Sequence, residues 1–267
     1  VSNAVINVAL SGEGADEIFG GYPGYRFDFH LSNRVGGYDS EVLQEKRLNQ
    51  KLWTDADFFY ETNLIEFVET KKAIYSDAVN HSYNAFNTIS NWHINSDHLQ
   101  GRHSFHKRSY FDLKMRLGDH LIADHCDRVC YANSVEGRFP FLDKRLIEFA
   151  SRVPPSLMMK DSTEKYMIKS VGRKYLPTQI INRQKFGFVA PGSPYLLQRN
   201  IPWIEDLLSY ERITRQGYFN ADTVEYLKKI YRPPGLKLNV PYEPDLLIEI
   251  LTFNLLIDLY QLPNYSF

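Results

Sequence analysis

A few charged side chains stand in settings that residue type alone makes chemically suggestive. The first is Ser11-Gly12-Glu13-Gly14-Ala15-Asp16-Glu17, which follows the apolar, β-branched run Val5-Ile6-Asn7-Val8-Ala9-Leu10 without a spacer. Glycines on both sides of a carboxylate let the backbone turn sharply and bring its amides against an anion, while Glu13 projects from the carboxyl end of a strand. Asp16 and Glu17 fall in the first turn of a helix that Gly20-Gly21 ends, where carboxylates also simply suit the helix dipole. The second setting is Val135-Glu136-Gly137-Arg138, ahead of Phe139-Pro140-Phe141-Leu142-Asp143. A carboxylate and a guanidinium in an aromatic, proline-stiffened segment are expected to be partly buried and to need partners. An ion pair, Glu136 with Arg138 or Arg138 with Asp143, accounts for them as well as chemistry does. In the third, Lys160-Asp161-Ser162-Thr163-Glu164-Lys165, Ser162 or Thr163 is expected to cap a helix with Lys165 in its first turn and Tyr166, Met167 and Val171 inward. A cation there opposes the macrodipole, and a phosphate would compensate it, although an ordinary exposed lysine is the commoner case. Arg183 and Lys185, just before Gly187, suit a phosphate in the same way.

Mostly helices must position these groups. Helical spacing recurs in Phe58 to Lys71, Ser109 to Leu117, Asp119 to Tyr131, Asp143 to Ser151 and Thr163 to Tyr175, with Gly118-Asp119, Pro154-Pro155 and Leu176-Pro177 as breaks. On the fourth of these stretches Asp143 is a natural cap. The apolar run Leu246 to Tyr260 is interrupted by Glu249, Asn254 and Asp258, which makes it a core helix and no membrane span. A lone strand with roughly eight helices has no sheet to join, so the chain reads as part of an α/β domain whose other strands lie elsewhere or in a second chain. Composition points to Pro233-Pro234-Gly235 for a linker, yet the apolar helix beyond it needs cover, so residues 1–267 read as one domain.

A net charge of −1 leaves no electrostatic footprint for nucleic acid or an anionic membrane. Cys126 and Cys130 form no disulfide framework and fit a reducing, cytoplasmic setting. His120, Asp124, His125, Cys126 and Asp127 have the composition of a metal site but match no zinc spacing. Neither G-x-S-x-G nor G-x-x-x-x-G-K-[ST] occurs.

Taken together and in order, LSGEGADEIFGGY, SYFDLKMRLGDHLIADHCDR, SVEGRFPFLDKRLIEFA, TEKYMIK and NRQKFGF resemble the asparagine synthetase family from residue 5 to about residue 190. The resemblance implies the C-terminal part of an adenine-nucleotide α-hydrolase-like (PP-loop ATPase) domain: mostly α with a short β element. It also implies an ATP- and Mg2+-dependent ligase that adenylates a carboxylate, aspartate first, for attack by ammonia derived from glutamine. Under it Ser11, Gly12 and Lys185 face the nucleotide, Asp16 holds Mg2+, and Glu13 meets the reacting carboxylate or incoming amine. Lys165 neutralises the phosphates, and Glu136 supports the group at the Glu13 position. That position is tyrosine in β-lactam-forming relatives, so glutamate favours amide transfer over ring closure. The family's SGGxDS loop and its nucleophilic N-terminal cysteine are absent from these residues. The PP-loop and glutaminase segments, or a partner chain, are therefore expected to complete the activity, with self-association of the chain a further expectation. His125 and Cys126 stand where the family usually has arginine and a small apolar residue, which leaves another acceptor, a peptide or a sugar acid, as an alternative. A non-catalytic partner-binding subunit is the other, though Glu13, Asp16 and Lys165 are all intact.

Overall fold

The computed structural model describes residues 7–30, 40–58, 60, 63–87, 89, 94–183, 190–238 and 244–265. Among these residues most of the fold is helical, with one short two-stranded parallel sheet. Two compact units form, one from Val1–Asn63 with Ile94–Gln184 and the other from Leu64–His93 with Lys185–Phe267. Pro233-Pro234-Gly235 falls inside the second unit and marks no boundary between them.

In the first unit strand β1 (Val8–Leu10) does find a partner within the chain, contrary to its reading as a lone strand. It pairs in parallel with β2 (Glu136–Arg138), in the register Val8↔Glu136, Ala9↔Gly137, Leu10↔Arg138. The ladder is extended by Glu136 N–H to the Asn7 carbonyl at 2.8 Å and Ser11 N–H to the Arg138 carbonyl at 2.9 Å. Two charged residues around a glycine carry no apolar alternation, so nothing local announces β2 as a strand. Its glycine is needed for packing: a Cβ on Gly137 would stand 3.1 Å from the Phe139 ring and 3.2 Å from Cys130 Sγ. The opposite face is open, with Val8 39% and Leu10 74% exposed, so β1 is not the buried strand its composition suggests.

From β1 the chain turns into α1 (Ala15–Phe19), which ends at Gly20 in the left-handed region, φ 68°. It continues into α2 (Pro23–His30) and α3 (Ser40–Trp53). Gly118 does not divide two helices. One rod runs from Ser104 to Ala132, α-helical to Phe111, π-wound over Asp112–Asp127 and α-helical again over Arg128–Ala132. A glycine costs a helix only about 1 kcal/mol, less than the burial of Phe105, Phe111 and Leu117 along this rod returns. Phe105 packs with Ile18, Phe19, Tyr25 and Met158 in the core of this unit. Phe58, expected to open a helix, instead joins Trp53 and Phe111 in an aromatic cluster, and that helix spans Leu64–Ile74.

The second unit is built on Leu246–Tyr260, a core helix as expected, which buries Leu247, Ile250, Leu251 and Ile257. The first three pack with Ile204, Leu207, Val224 and Leu227. A fully buried polar side chain on this helix, Asn254, donates from Nδ2 to the Leu207 carbonyl at 2.8 Å. Asp245 caps the helix by accepting from Ile248 N–H at 3.1 Å. Among the described residues no helix is long and apolar enough to cross a membrane.

Candidate active site

The turn after β1 is shaped by glycines, and not all of them tolerate a side chain. Gly14 has φ 91°, and a Cβ there would lie 2.3 Å from Leu142 Cδ2. At Gly12 nothing stands within 4 Å of that position, so the loop borders open space. Ser11 N–H is used by the sheet ladder, whereas the N–H groups of Gly12 and Gly14 are paired with no other described group. Two such donors at the carboxyl end of a parallel strand make an anion-receptive turn.

Asp16 and Lys165 meet here. Lys165 Nζ lies 2.9 Å from Asp16 Oδ1, each side chain about a quarter exposed. Gly21 makes room for the pair: a Cβ on it would fall 1.7 Å from Asp16 Oδ1 and 2.4 Å from Lys165 Cε. Gly20-Gly21 thus stops α1 and also admits the ion pair. Lys165 is not in the first helical turn, as the sequence suggested, but is the N-cap of Tyr166–Gly172, with no side-chain cap bond. Asp161, Ser162 and Lys165 all adopt left-handed backbone, with φ of 49°, 59° and 54°. Non-glycine residues hold that conformation at a cost, and such strain gathers where a side chain must be aimed. The loop is tied down by a bridge between Lys160 and Thr163 and by Arg26 Nη2 to Glu164 Oε1 at 2.8 Å. Val171, expected to face inward, is 56% exposed.

The Glu13 carboxyl titrates above the ordinary range, first because of burial and then because Glu17 and Asp16 add negative charge. His125 and Lys165 oppose the shift. Beneath it Glu17 is buried and accepts from the Tyr22 hydroxyl, and burial with that bond holds the Tyr22 phenol well above its usual range. The Arg116 guanidinium lies 4.3 Å over the Tyr22 ring.

Winding as a π-helix changes which residues of the long rod share a face. In an α-helix the stripe would be His120, Asp124, Asp127, Arg128 and Tyr131; here His120 and His125 come together, Nε2 to Nε2 at 3.3 Å. His120 Nδ1 is 3.6 Å from Asp124 Oδ2, and Arg128 Nη1 is 2.8 Å from Asp124 Oδ1. No group of three or more His, Cys, Asp or Glu among the described residues could hold a metal ion. Cys126 and Cys130 are both free thiols.

Glu136 is not brought to this cluster. It stands level with Val8, short of the turn, and its carboxylate takes Arg138 Nε at 2.8 Å with both side chains more than half exposed. The expected ion pair is therefore there but the expected burial is not. Asp143 bonds Arg145 instead, through Nε and Nη2 at 3.1 Å, and caps Lys144–Ala150. Lys185 lies outside the described residues.

Sequence reasoning missed the layer that holds α1 and α2 in place. Arg108 and Asp28 form a buried bidentate pair at 2.7 and 3.0 Å, and a Cβ on Gly24 would strike Arg108 Nη1 at 2.5 Å. Asp112, fully buried, accepts from Tyr60 Oη at 2.7 Å and lies 2.7 Å from Tyr25 Oη, itself 2.7 Å from the Glu17 carbonyl. A signal was available. Arg108 and Asp112 sit four apart among Phe105, Tyr110 and Phe111, where charges need partners.

Residues 1–232 match the family described as Asparagine synthase, and this chain belongs to it. Asparagine synthetase (glutamine-hydrolyzing) 1 of Bacillus subtilis (strain 168) is 29% identical over 233 residues, covering 82% of this chain and 36% of that protein. Asparagine synthetase (glutamine-hydrolyzing) 3 of the same organism is 29% identical over 204 residues, 76% of this chain and 29% of that protein. Amidase chyE of Penicillium rubens is 27% identical over 278 residues, with coverages of 88% and 40%. The chain thus spans less than half the length of these relatives. No solved structure matches it.

Proposed function

We propose that the chain is the carboxylate-activating part of an ATP-dependent, AMP-forming amide ligase of the asparagine synthetase type, on a PP-loop ATPase fold in the cytoplasm. In this reading a substrate carboxylate, aspartate first, attacks the α-phosphorus of ATP and pyrophosphate leaves. Ammonia derived from glutamine then attacks the acyl carbon and AMP leaves. The observation that carries it is the Asp16–Lys165 pair at 2.9 Å, set in the cradle that Gly21 leaves open.

The residues fit Mg2+ in one mode. Asp16 offers a single carboxylate, which suits an ion that keeps its waters and is shared with substrate phosphates, and suits no all-protein cage. Mg2+ would neutralise phosphate charge; the chain's own residues do the rest. Gly12 and Gly14 amides receive phosphate oxygens, and Lys165 leaves Asp16 to face the charge that develops on the α-phosphoryl group. Glu13, with its proton affinity raised, takes the proton of the attacking amine. Ser11 and Lys185 complete the nucleotide contacts, while Glu136, paired with Arg138 in solvent, takes no part in this reading. The PP-loop and glutaminase segments, in the parent chain or a partner, are required, so these 267 residues alone do not release pyrophosphate from ATP.

ATP–pyrophosphate exchange in the parent protein tests the assignment. Lys165→Ala should lower exchange on the order of 10²–10³-fold while nucleotide binding persists. Full exchange activity in that variant would return Lys165 to an ordinary surface lysine. A second reading, amidation of another carboxylate, is favoured by His125, which stands where the family usually has arginine, pairs with His120 and acts electrostatically on Glu13. Product identification with aspartate and with peptide or sugar acids separates the two.

A further inference from the structure

On the side of α1 turned away from Asp16, the first unit holds a separate cavity of about 290 Å³. Ile18, two residues on from Asp16 and so roughly 200° around the helix, contributes to its floor with Leu113, Ile147 and Ala150. His98, Arg102 and His106 stand on its walls, and among the described residues no acidic side chain does. The Arg102 guanidinium makes no ion pair with any described residue. His106 donates Nε2–H to the Val153 carbonyl at 3.1 Å, which fixes its tautomer and leaves Nδ1 as an acceptor. The His98 ring is held edge-on to Tyr110 at 5.7 Å.

We propose that this cavity binds a small organic carboxylate: the acid group pairs with Arg102, and a short apolar body lies on Ile18, Leu113, Ile147 and Ala150. A guanidinium fork matches a carboxylate in geometry, and a basic wall without acidic neighbours selects an anion. The apolar floor decides between anions. Arg102 with the hydroxyls of Ser109, Tyr110 and Ser151 offers polar partners to either anion, but only a branched acid also gains by burial against the four hydrocarbon side chains, where phosphate would lose water. A volume of about 290 Å³ stands at the small end of ligand pockets, roughly 300–1,000 Å³, and suits an acid of amino-acid size. The site is distinct from the turn that carries Glu13 and does not depend on what that turn catalyses.

The test is calorimetric titration of the full chain with acetate, propionate, isovalerate and inorganic phosphate. Affinity should rise about threefold to fourfold for each added methylene, phosphate should not bind, and the His98 and His106 ring resonances should move with isovalerate. Arg102→Met, an exposed position, should weaken isovalerate at least tenfold and leave thermal unfolding unchanged. Equal affinity for acetate and isovalerate, tighter binding of phosphate, no binding of isovalerate, or an Arg102→Met variant that binds as before would each overturn the proposal.

Discussion

At the scale of single residues, Gly12, in the turn after β1, and Gly21, just beyond the end of α1, make opposite demands. Gly21→Ala must push a methyl group into Asp16 and Lys165, whose atoms would lie 1.7 and 2.4 Å away. It should cost about 1–3 kcal/mol, read as a lower urea midpoint. Gly12→Ala meets nothing within 4 Å and should leave stability within about 0.5 kcal/mol. Glu13 adds a pH dependence. Its folded carboxyl titrates above the ordinary value of 4.5, so between those two values the native state holds more protons than the unfolded one. Stability therefore falls as pH rises through that window and stays lowered above it. Glu13→Gln removes this penalty: at about pH 7 it should unfold at higher urea than the parent, and at about pH 3.5 the two should coincide.

At the scale of elements, the long rod from Ser104 to Ala132 is the least expected feature. A glycine followed by aspartate reads as a helix boundary, yet the rod runs through Gly118 without a break, with Leu117 buried just before it and Cys126 buried beyond it. Gly118 is exposed, its φ is not left-handed, and the nearest atom to an added methyl would be the Leu113 carbonyl oxygen at 3.8 Å. Gly118→Ala should therefore stabilise the chain by roughly 0.5–1 kcal/mol, measured by thermal unfolding; a loss would mean that the helix does break there. The π-winding of Asp112–Asp127 carries a functional consequence as well. It sets His125 against His120, which regular α-helical spacing would not do, and His125 also acts electrostatically on Glu13.

At the scale of the molecule, the sheet has two strands among the described residues, no described strand extends either edge, and Val8 and Leu10 are exposed on one face. Such a surface recruits another strand or a second copy. The chain on its own should self-associate with rising concentration in light scattering, and Leu10→Lys should shift it toward monomer by charging the centre of the patch. If the unsubstituted 267-residue chain stays monomeric at every concentration, this face is not a contact surface.

Much of the molecule was legible in one dimension because its signals are local. The mostly helical class, the Leu246–Tyr260 core helix, the stop at Gly20-Gly21, the Asp143 cap and the Glu136–Arg138 pair rest on neighbours a few residues apart, and each formed as the sequence suggests. The SGEGADE and VEGRFPFLD stretches likewise carried the family, since they concentrate residue types that only a particular turn needs. Tertiary structure alone decided what depends on residues far apart in the chain. It gave β1 its partner β2, set Lys165 against Asp16, left Glu136 in solvent away from Glu13, and buried Arg108 with Asp28. In each case the deciding term is packing or charge compensation between segments, and that term has no expression in the spacing of residues along one segment.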